Sequence, residues 1–210
     1  MKIGEMLGES FNYAKEAVVG KWVKWILLII SCIIFPLILG YVVEVFKGKK
    51  PAPELEHWGK LFINGILYII IGIIYSIPMI IIAFLIFGAS LSTGIIMTDP
   101  GAFIATAAIG SVVLIIVSFI ITFFMYFGLI RFAREEKFGE AFNFGEIHAQ
   151  IKKVGWLNYF VALLVIWIVL GIIYGILFMI PAIGWIILLI LLPMLVIWQA
   201  RYLTLIYESA

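Results

Sequence analysis

Charge is scarce in this sequence. Asp, Glu, Lys and Arg make up 12% of its 210 residues, about half the usual share of roughly 25% in soluble globular domains. Hydrophobic residues reach 65%, against about 45–50% in such domains. A water-soluble domain is thereby excluded. Net charge is only +2, and no basic stretch is interleaved with aromatics, so nucleic acid is not an expected partner. Cysteine is almost missing: the single Cys32 excludes disulfide frameworks and cysteine-rich metal sites. Its position inside an apolar run reads as a small packing residue. Histidine is as rare. His57 and His148 stand in separate polar islands, where a solvated loop histidine is the commoner reading. Carboxylates are nearly absent from the apolar runs. A proton- or sodium-coupled transporter usually carries one near the bilayer midplane. That absence argues against coupled transport and leaves passive conduction and lipid contact open.

What is present is long apolar sequence: Ile26 to Tyr41, Leu61 to Phe87, Ala102 to Ile130 and Leu157 to Leu192. Runs of about 18 or more such residues read as membrane spans. The polar islands between them are too short for a separate core. The expected architecture is all-α: one integral membrane domain over 1–210, a polytopic transmembrane helical bundle of about six spans, or five. The spans are placed near 22–46, 61–77, 79–97, 101–130, 156–178 and 185–206. The first apolar run is expected to be a span, not a cleaved leader, since it lacks a small-residue cleavage pattern.

Prolines punctuate this plan. Pro36 kinks the first span. Pro78 interrupts a stretch too long for one upright helix at about 1.5 Å per residue. A tight turn at Ser76–Pro78 joining two short spans is expected, with one long tilted, broken helix as the competing reading. Asp99 before Pro100 is a helix start: an N-cap acceptor, then a residue with no donor to lose. Pro181 to Gly184 make the last turn.

Two amphipathic surface helices are expected, at 1–21 and 138–154. Ile3, Met6, Leu7, Phe11, Ala14 and Val18 share one face of the first by helical spacing. Phe144, Ile147, Ile151 and Val154 do so in the second, opened by Asn143 and Glu146 in capping-box spacing. Trp22, Trp25 and Trp156 mark the headgroup level. A partial internal echo links 8–13 (Gly-Glu-Ser-Phe-Asn-Tyr) with 139–144 (Gly-Glu-Ala-Phe-Asn-Phe). A second links Gly72–Tyr75 with Gly171–Tyr174. Such repeats underlie many transporters, although surface helices also need similar residues.

Basic residues favour the cytoplasmic side. Six spans place the N-terminal segment, the 131–153 island and Arg201 together on the cytoplasmic side of the cell membrane, with both termini cytoplasmic. The island with Lys47, Lys49, Lys50 and Lys60 then falls outside, against the rule. A first span bent back at Pro36 as a re-entrant hairpin would restore it; six spans is the preferred reading.

Convergent polar groups of recognised catalytic spacing are missing, so no catalytic, cofactor-binding or metal residue is assigned, and the protein is expected not to be an enzyme. Polar residues worth locating are Ser90, Ser92 and Thr93, and the span-border residues Glu44, Asn64, Asn158, Gln199, Arg201 and Glu208. Border snorkelling or capping is the plainer reading for each.

Several segments carry a resemblance: Gly-Glu-Ser-Phe-Asn-Tyr at 8–13, Pro-Glu-Leu-Glu-His-Trp-Gly-Lys-Leu-Phe at 53–62, Arg-Phe-Ala-Arg-Glu-Glu-Lys-Phe-Gly-Glu-Ala-Phe-Asn-Phe at 131–144, and Gln-Ala-Arg-Tyr-Leu-Thr-Leu-Ile-Tyr at 199–207. Together they resemble the archaeal DUF4013 integral membrane family, and at a distance the membrane domains found with glycerophosphodiester phosphodiesterases. The resemblance implies a multi-span fold and an archaeal source, and brings no activity or site residue. His57 stands where relatives are expected to carry an acidic residue. The functional expectation is a non-enzymatic, membrane-organising or scaffold homo-oligomer in contact with membrane lipids. The alternative is a passive channel or transporter of a lipid-like or small apolar substrate.

Overall fold

Backbone polar groups in hydrocarbon find no water, so an apolar chain there must bond them within its own helices. In the computed structural model, which describes residues 2–88 and 98–210, every element is helical. The helices are α1 (Ile3–Val18), α2 (Trp22–Ile33), α3 (Phe35–Phe46), α4 (Trp58–Ala83), α5 (Pro100–Glu135), α6 (Phe144–Val154), α7 (Trp156–Phe178) and α8 (Ile183–Glu208). A π-helical turn, Phe84–Gly88, continues α4, and a 3-10 turn, Phe138–Phe142, precedes α6. Among the described residues four helices are long and apolar enough to cross a membrane, α4, α5, α7 and α8, or five spans if the bent pair α2–α3 counts as one. This is compatible with a multi-pass membrane protein.

The span expected at 22–46 is that bent pair. Each arm has 12 residues, about 18 Å at 1.5 Å per residue. The arms turn by 119°, so their outer ends lie about 18 Å apart, short of the roughly 30 Å hydrocarbon core. The pair therefore has the bend of a broken span or of a re-entrant loop, and both the preferred crossing over 22–46 and the re-entrant alternative are open to it. The cause is local. Pro36 sits in the first turn of α3, lacks an N–H and crowds the carbonyl four residues back. Ile34 leaves the helical region (φ −89°, ψ 76°) and ends α2.

The turn expected at Ser76–Pro78 is absent: α4 runs through Pro78. A turn there would strand several backbone groups in an apolar stretch, whereas a proline strands about one, which neighbours tolerate. Ser76 Oγ donates to the Ile73 carbonyl at 2.7 Å. The separate spans near 61–77 and 79–97 thus merge up to Gly88. The rest of the second, with Ser90, Ser92 and Thr93, lies outside the described residues. The start of α5 is as expected, the Ala102 amide donating to Asp99 Oδ1 at 3.0 Å.

The chain forms two units: Ile70–Met125, and Met1–Ile69 with Tyr126–Ala210. In the larger, α8 is the central post, touching α1, α2, α3, α6 and α7. Its C-terminal half is buried from Ala200 to Tyr207, and side chains tie its neighbours to it: the Tyr202 hydroxyl donates to the Ala162 carbonyl at 3.1 Å, Gln150 to Tyr207 at 2.8 Å, and the Trp25 indole to Ile190 at 2.9 Å. α3 lies hard against α4. A Cβ on Gly40 would overlap the Leu61 backbone, and one on Gly65 the Pro36 backbone, so only glycine permits the approach. In the smaller unit, hydroxyls bond to their own helix: Thr106 to Ala102 at 2.9 Å, Ser111 to Ala107 at 2.7 Å, Thr122 to Ser118 at 2.7 Å.

α1 packs on α8 with Ser10, Tyr13, Ala14, Ala17 and Val18. Of the apolar face expected from spacing, only Ala14 and Val18 are buried, and Phe11 is exposed. Small residues allow close helix approach, and the Trp198 indole, donating to the Leu7 carbonyl at 3.2 Å, fixes the contact.

Candidate functional site: a polar cap

Two clusters of charged residues stand out in the larger unit. The first surrounds Arg201 on α8, which is 1% exposed. Its guanidinium reaches Glu9 at 3.4 Å and the Gly48 carbonyl at 3.5 Å. Glu208 lies at 4.0 Å and the Tyr13 ring at 5.0 Å. Arg201 Nε is buried without a partner. Lys50 also binds Glu9. That bond, with Arg201, holds the Glu9 carboxyl below its ordinary value against the opposing pull of burial. Burial pushes the Tyr13 hydroxyl up to about 12; it donates to the Lys49 carbonyl at 3.1 Å. Thus α1, the segment after α3 and α8 meet at one buried cation. Arg134 completes the join, bonding Glu208 at 2.5 Å and the Phe46 carbonyl at 3.3 Å.

The second centre lies where α3 and α5 end and α4 begins. Lys47 Nζ donates to Glu136 at 2.6 Å and pairs with Glu44 at 2.8 Å. Lys60 reaches the same Glu136 oxygen at 3.5 Å. Asn64 donates to Glu44 at 3.5 Å. Burial alone would lower Lys47; its bonds to Glu136 and Glu44 outweigh that and raise it. The Lys47 bond is also the main cause holding Glu136 below the usual carboxylate range. A cavity of about 190 Å³ lies here, lined by both lysines, Asn64, Glu136, Leu67 and Phe132 among others.

The hairpin is tied at both ends to this side of the unit. Lys24, buried, bonds Glu54 at 3.0 Å and Lys21 pairs with it at 3.7 Å, while the Tyr41 hydroxyl donates to the Pro53 carbonyl at 2.8 Å. Glu54 thus joins the start of α2 to the segment that follows α3.

The family described as "Protein of unknown function (DUF4013)" matches residues 25–182, well over half of the chain. The chain belongs to the DUF4013 family. The match covers the hairpin from Trp25 onward and the Glu136 centre; α1 and all of α8, with Arg201, lie beyond it. No curated protein and no solved structure matches this DUF4013 chain.

The residues marked out by sequence fall as follows. His57, with a positive φ of 53°, borders an open cleft of about 250 Å³ with Glu44, Glu54, Glu56 and Lys60. His148 packs against the Trp156 ring at 5.3 Å. Asn158 donates to the Val154 carbonyl at 3.2 Å, and Gln199 to the Tyr126 hydroxyl at 3.1 Å. Cys32 is a free thiol, half-buried. No group of three or more His, Cys, Asp or Glu able to hold a metal occurs among the described residues. The convergence of Lys47 and Lys60 on Glu136 was not foreseen. Their separations of 89 and 76 residues leave no local signal.

The internal echo does not survive as repeated structure. Residues 8–13 lie inside α1, while 139–144 form the 3-10 turn and the start of α6. Gly72–Tyr75 precedes a proline inside a helix, whereas Gly171–Tyr174 precedes a real turn. The cap at Asn143 is real, accepting from the Glu146 amide at 3.4 Å.

Proposed function

We propose that this DUF4013 protein is a non-enzymatic membrane organiser that acts as a homo-oligomer and loads one leaflet more than the other. The observation that carries this reading is the α2–α3 hairpin. Its tip is apolar and outward-facing, with Ile30, Ile33, Ile34 and Phe35 all exposed, and its ends are anchored in the polar cap. Arms of about 18 Å reach only part-way into a core of about 30 Å, so the wedge occupies one leaflet. Apolar side chains exposed along α4 and α5 supply surface for lipid and for further copies. With the hairpin re-entrant, the Lys47–Lys60 island shares a side with α1, the 131–153 island and Arg201, which suits a cytoplasmic assignment for that side and both termini.

The test is vesicle shape. The protein reconstituted into liposomes should give smaller or more curved vesicles than protein-free controls by electron microscopy. The Ile33→Lys, Phe35→Lys double variant should not, because a lysine in mid-membrane costs about 2.5–3.5 kcal/mol. Vesicles indistinguishable from empty ones, or unaffected by the tip variant, would contradict the reading. The passive-channel alternative drew on Ser90–Thr93, which lie outside the described residues, and on a repeat that the helices do not share. It predicts solute or lipid flux above that of empty vesicles.

A further inference from the structure

Glu136 follows the last residue of α5 with φ at 53°, a region that side-chain-bearing residues rarely occupy. That conformation delivers its carboxylate to Lys47 and Lys60, both on one oxygen, at 2.6 and 3.5 Å. Two ammonium groups on one anionic oxygen is the environment an oxyanion ligand would receive. The carboxylate is loosely held by everything else, since the Glu136 side chain is 61% exposed. Asn64, one turn beyond Lys60 on α4, adds an amide donor near the same place, presently given to Glu44. The adjoining cavity, about 190 Å³, has ample room beyond a single water, which needs about 10–15 Å³. Its lining changes along the helices. Lys47, Lys60 and Glu136 stand at helix ends, while Leu67 and Phe132 lie one to two turns deeper.

Charge balance points the same way. With Glu136 in place, Lys47 and Lys60 are neutralised by Glu44 and Glu136. If the Glu136 side chain swings out, one positive charge is left facing the cavity. A group with the charge and several oxygens of a phosphate would then bind better than the single carboxylate it displaces.

We infer that Lys47, Lys60 and Asn64 form a binding site for a phosphate group, with Glu136 as its built-in competing anion. The phosphate comes from a lipid headgroup or from free phosphate; the chemistry is shared. Charge at the helix ends and apolar lining below suit a headgroup with its chains running inward. The site stands apart from the proposed membrane-organising role, and either can fail alone.

The test uses the full-length protein in detergent. Phosphatidylglycerol, diacylglycerol of the same chains and inorganic phosphate are titrated separately, with retention read by native mass spectrometry for the lipids and by equilibrium dialysis for phosphate. Glu136→Gln should tighten binding of a phosphate-bearing probe, and Lys60→Gln should weaken it, each about tenfold, the scale of one charge-assisted bond. Lys60→Arg keeps the charge and should retain most of the binding. Lys60 is more than half exposed, and an unchanged Tm checks that Lys60→Gln folds. Response to phosphatidylglycerol alone assigns the site to a headgroup, and response to inorganic phosphate as well assigns it to phosphate in general. Diacylglycerol retained as well as phosphatidylglycerol, or Glu136→Gln binding no tighter than wild type, would overturn the inference.

Discussion

The two units treat polarity in opposite ways. In Ile70–Met125 the described hydroxyls of Thr106, Ser111, Ser118 and Thr122 bond to carbonyls of their own helix. In the larger unit, polar side chains reach across the sequence: Arg201 to Glu9, Trp198 to Leu7, Tyr202 to Ala162, Lys24 to Glu54. The first arrangement asks nothing of the rest of the chain and suits helices surrounded by lipid. The second fixes one set of neighbours. The lesson is that hydrophobicity makes both units compatible with a membrane, while among the described residues long-range polar contacts tie the helices of the larger one to each other.

Paired substitutions sharpen this contrast. The largest effect is expected at Gly40 or Gly65. Alanine there meets the backbone of Leu61 or Pro36, which cannot move aside, and should cost about 3 kcal/mol or more. At Gly110, in the smaller unit, a Cβ would meet Ile86 Cγ2 at 2.6 Å, a side-chain atom and not backbone, but one on a β-branched residue with little χ1 freedom. Alanine gains about 1 kcal/mol in helix propensity against that overlap, so Gly110→Ala should cost less than either of the other two, about 1–2 kcal/mol. Thermal unfolding in one detergent compares all three.

Next comes Glu9→Gln. It leaves the buried Arg201 with weaker partners and should cost about 2 kcal/mol, the value of a charged hydrogen bond, discounted for the exposure of Glu9. The sign with pH follows. The Glu9 carboxyl is depressed in the folded state, so its stabilisation is present above the ordinary carboxylate pKa of about 4.3 and is lost as pH falls through the lower folded value. The Tm gap between wild type and Glu9→Gln should therefore be full at neutral pH and close in acid. A gap that widened in acid would show that Glu9 does not act through its charge. The smallest effect is expected at Ser111→Ala, within about 0.5 kcal/mol, because its hydroxyl bonds only to its own helix.

Much of the element plan was legible in the sequence, because its signals are local. Asp99–Pro100 opens α5, Asn143 caps α6, and Pro181–Gly184 turns α7 into α8. The prolines were less legible, since the same residue does opposite things. At Pro36 the helix breaks and reverses, while at Pro78 it continues. What differs is the surroundings: α3 is drawn onto α4 through Gly40 and Gly65, a contact that spacing does not announce. The face of α1 was misread for a related reason. Spacing ranks large apolar residues, but α8 selects the small ones, Ser10, Ala14 and Ala17. The polar cap was the least legible part. Glu44, Asn64 and Arg201 were visible as unusual residues, yet their partners lie in other islands, and Glu136 looked like one charge in a run.

The account rests most heavily on the hairpin returning to the side from which it starts. The direct measurement is labelling by a membrane-impermeant maleimide in sealed, oriented vesicles, with Cys32 replaced by serine. Lys21→Cys and Lys49→Cys report the two ends of the hairpin, and Met179→Cys, at the far end of α7 and well exposed, reports the other side. The re-entrant structure predicts that positions 21 and 49 label from one side and position 179 from the opposite one. Labelling of 21 and 49 from opposite sides would make α2–α3 a true span and contradict the account.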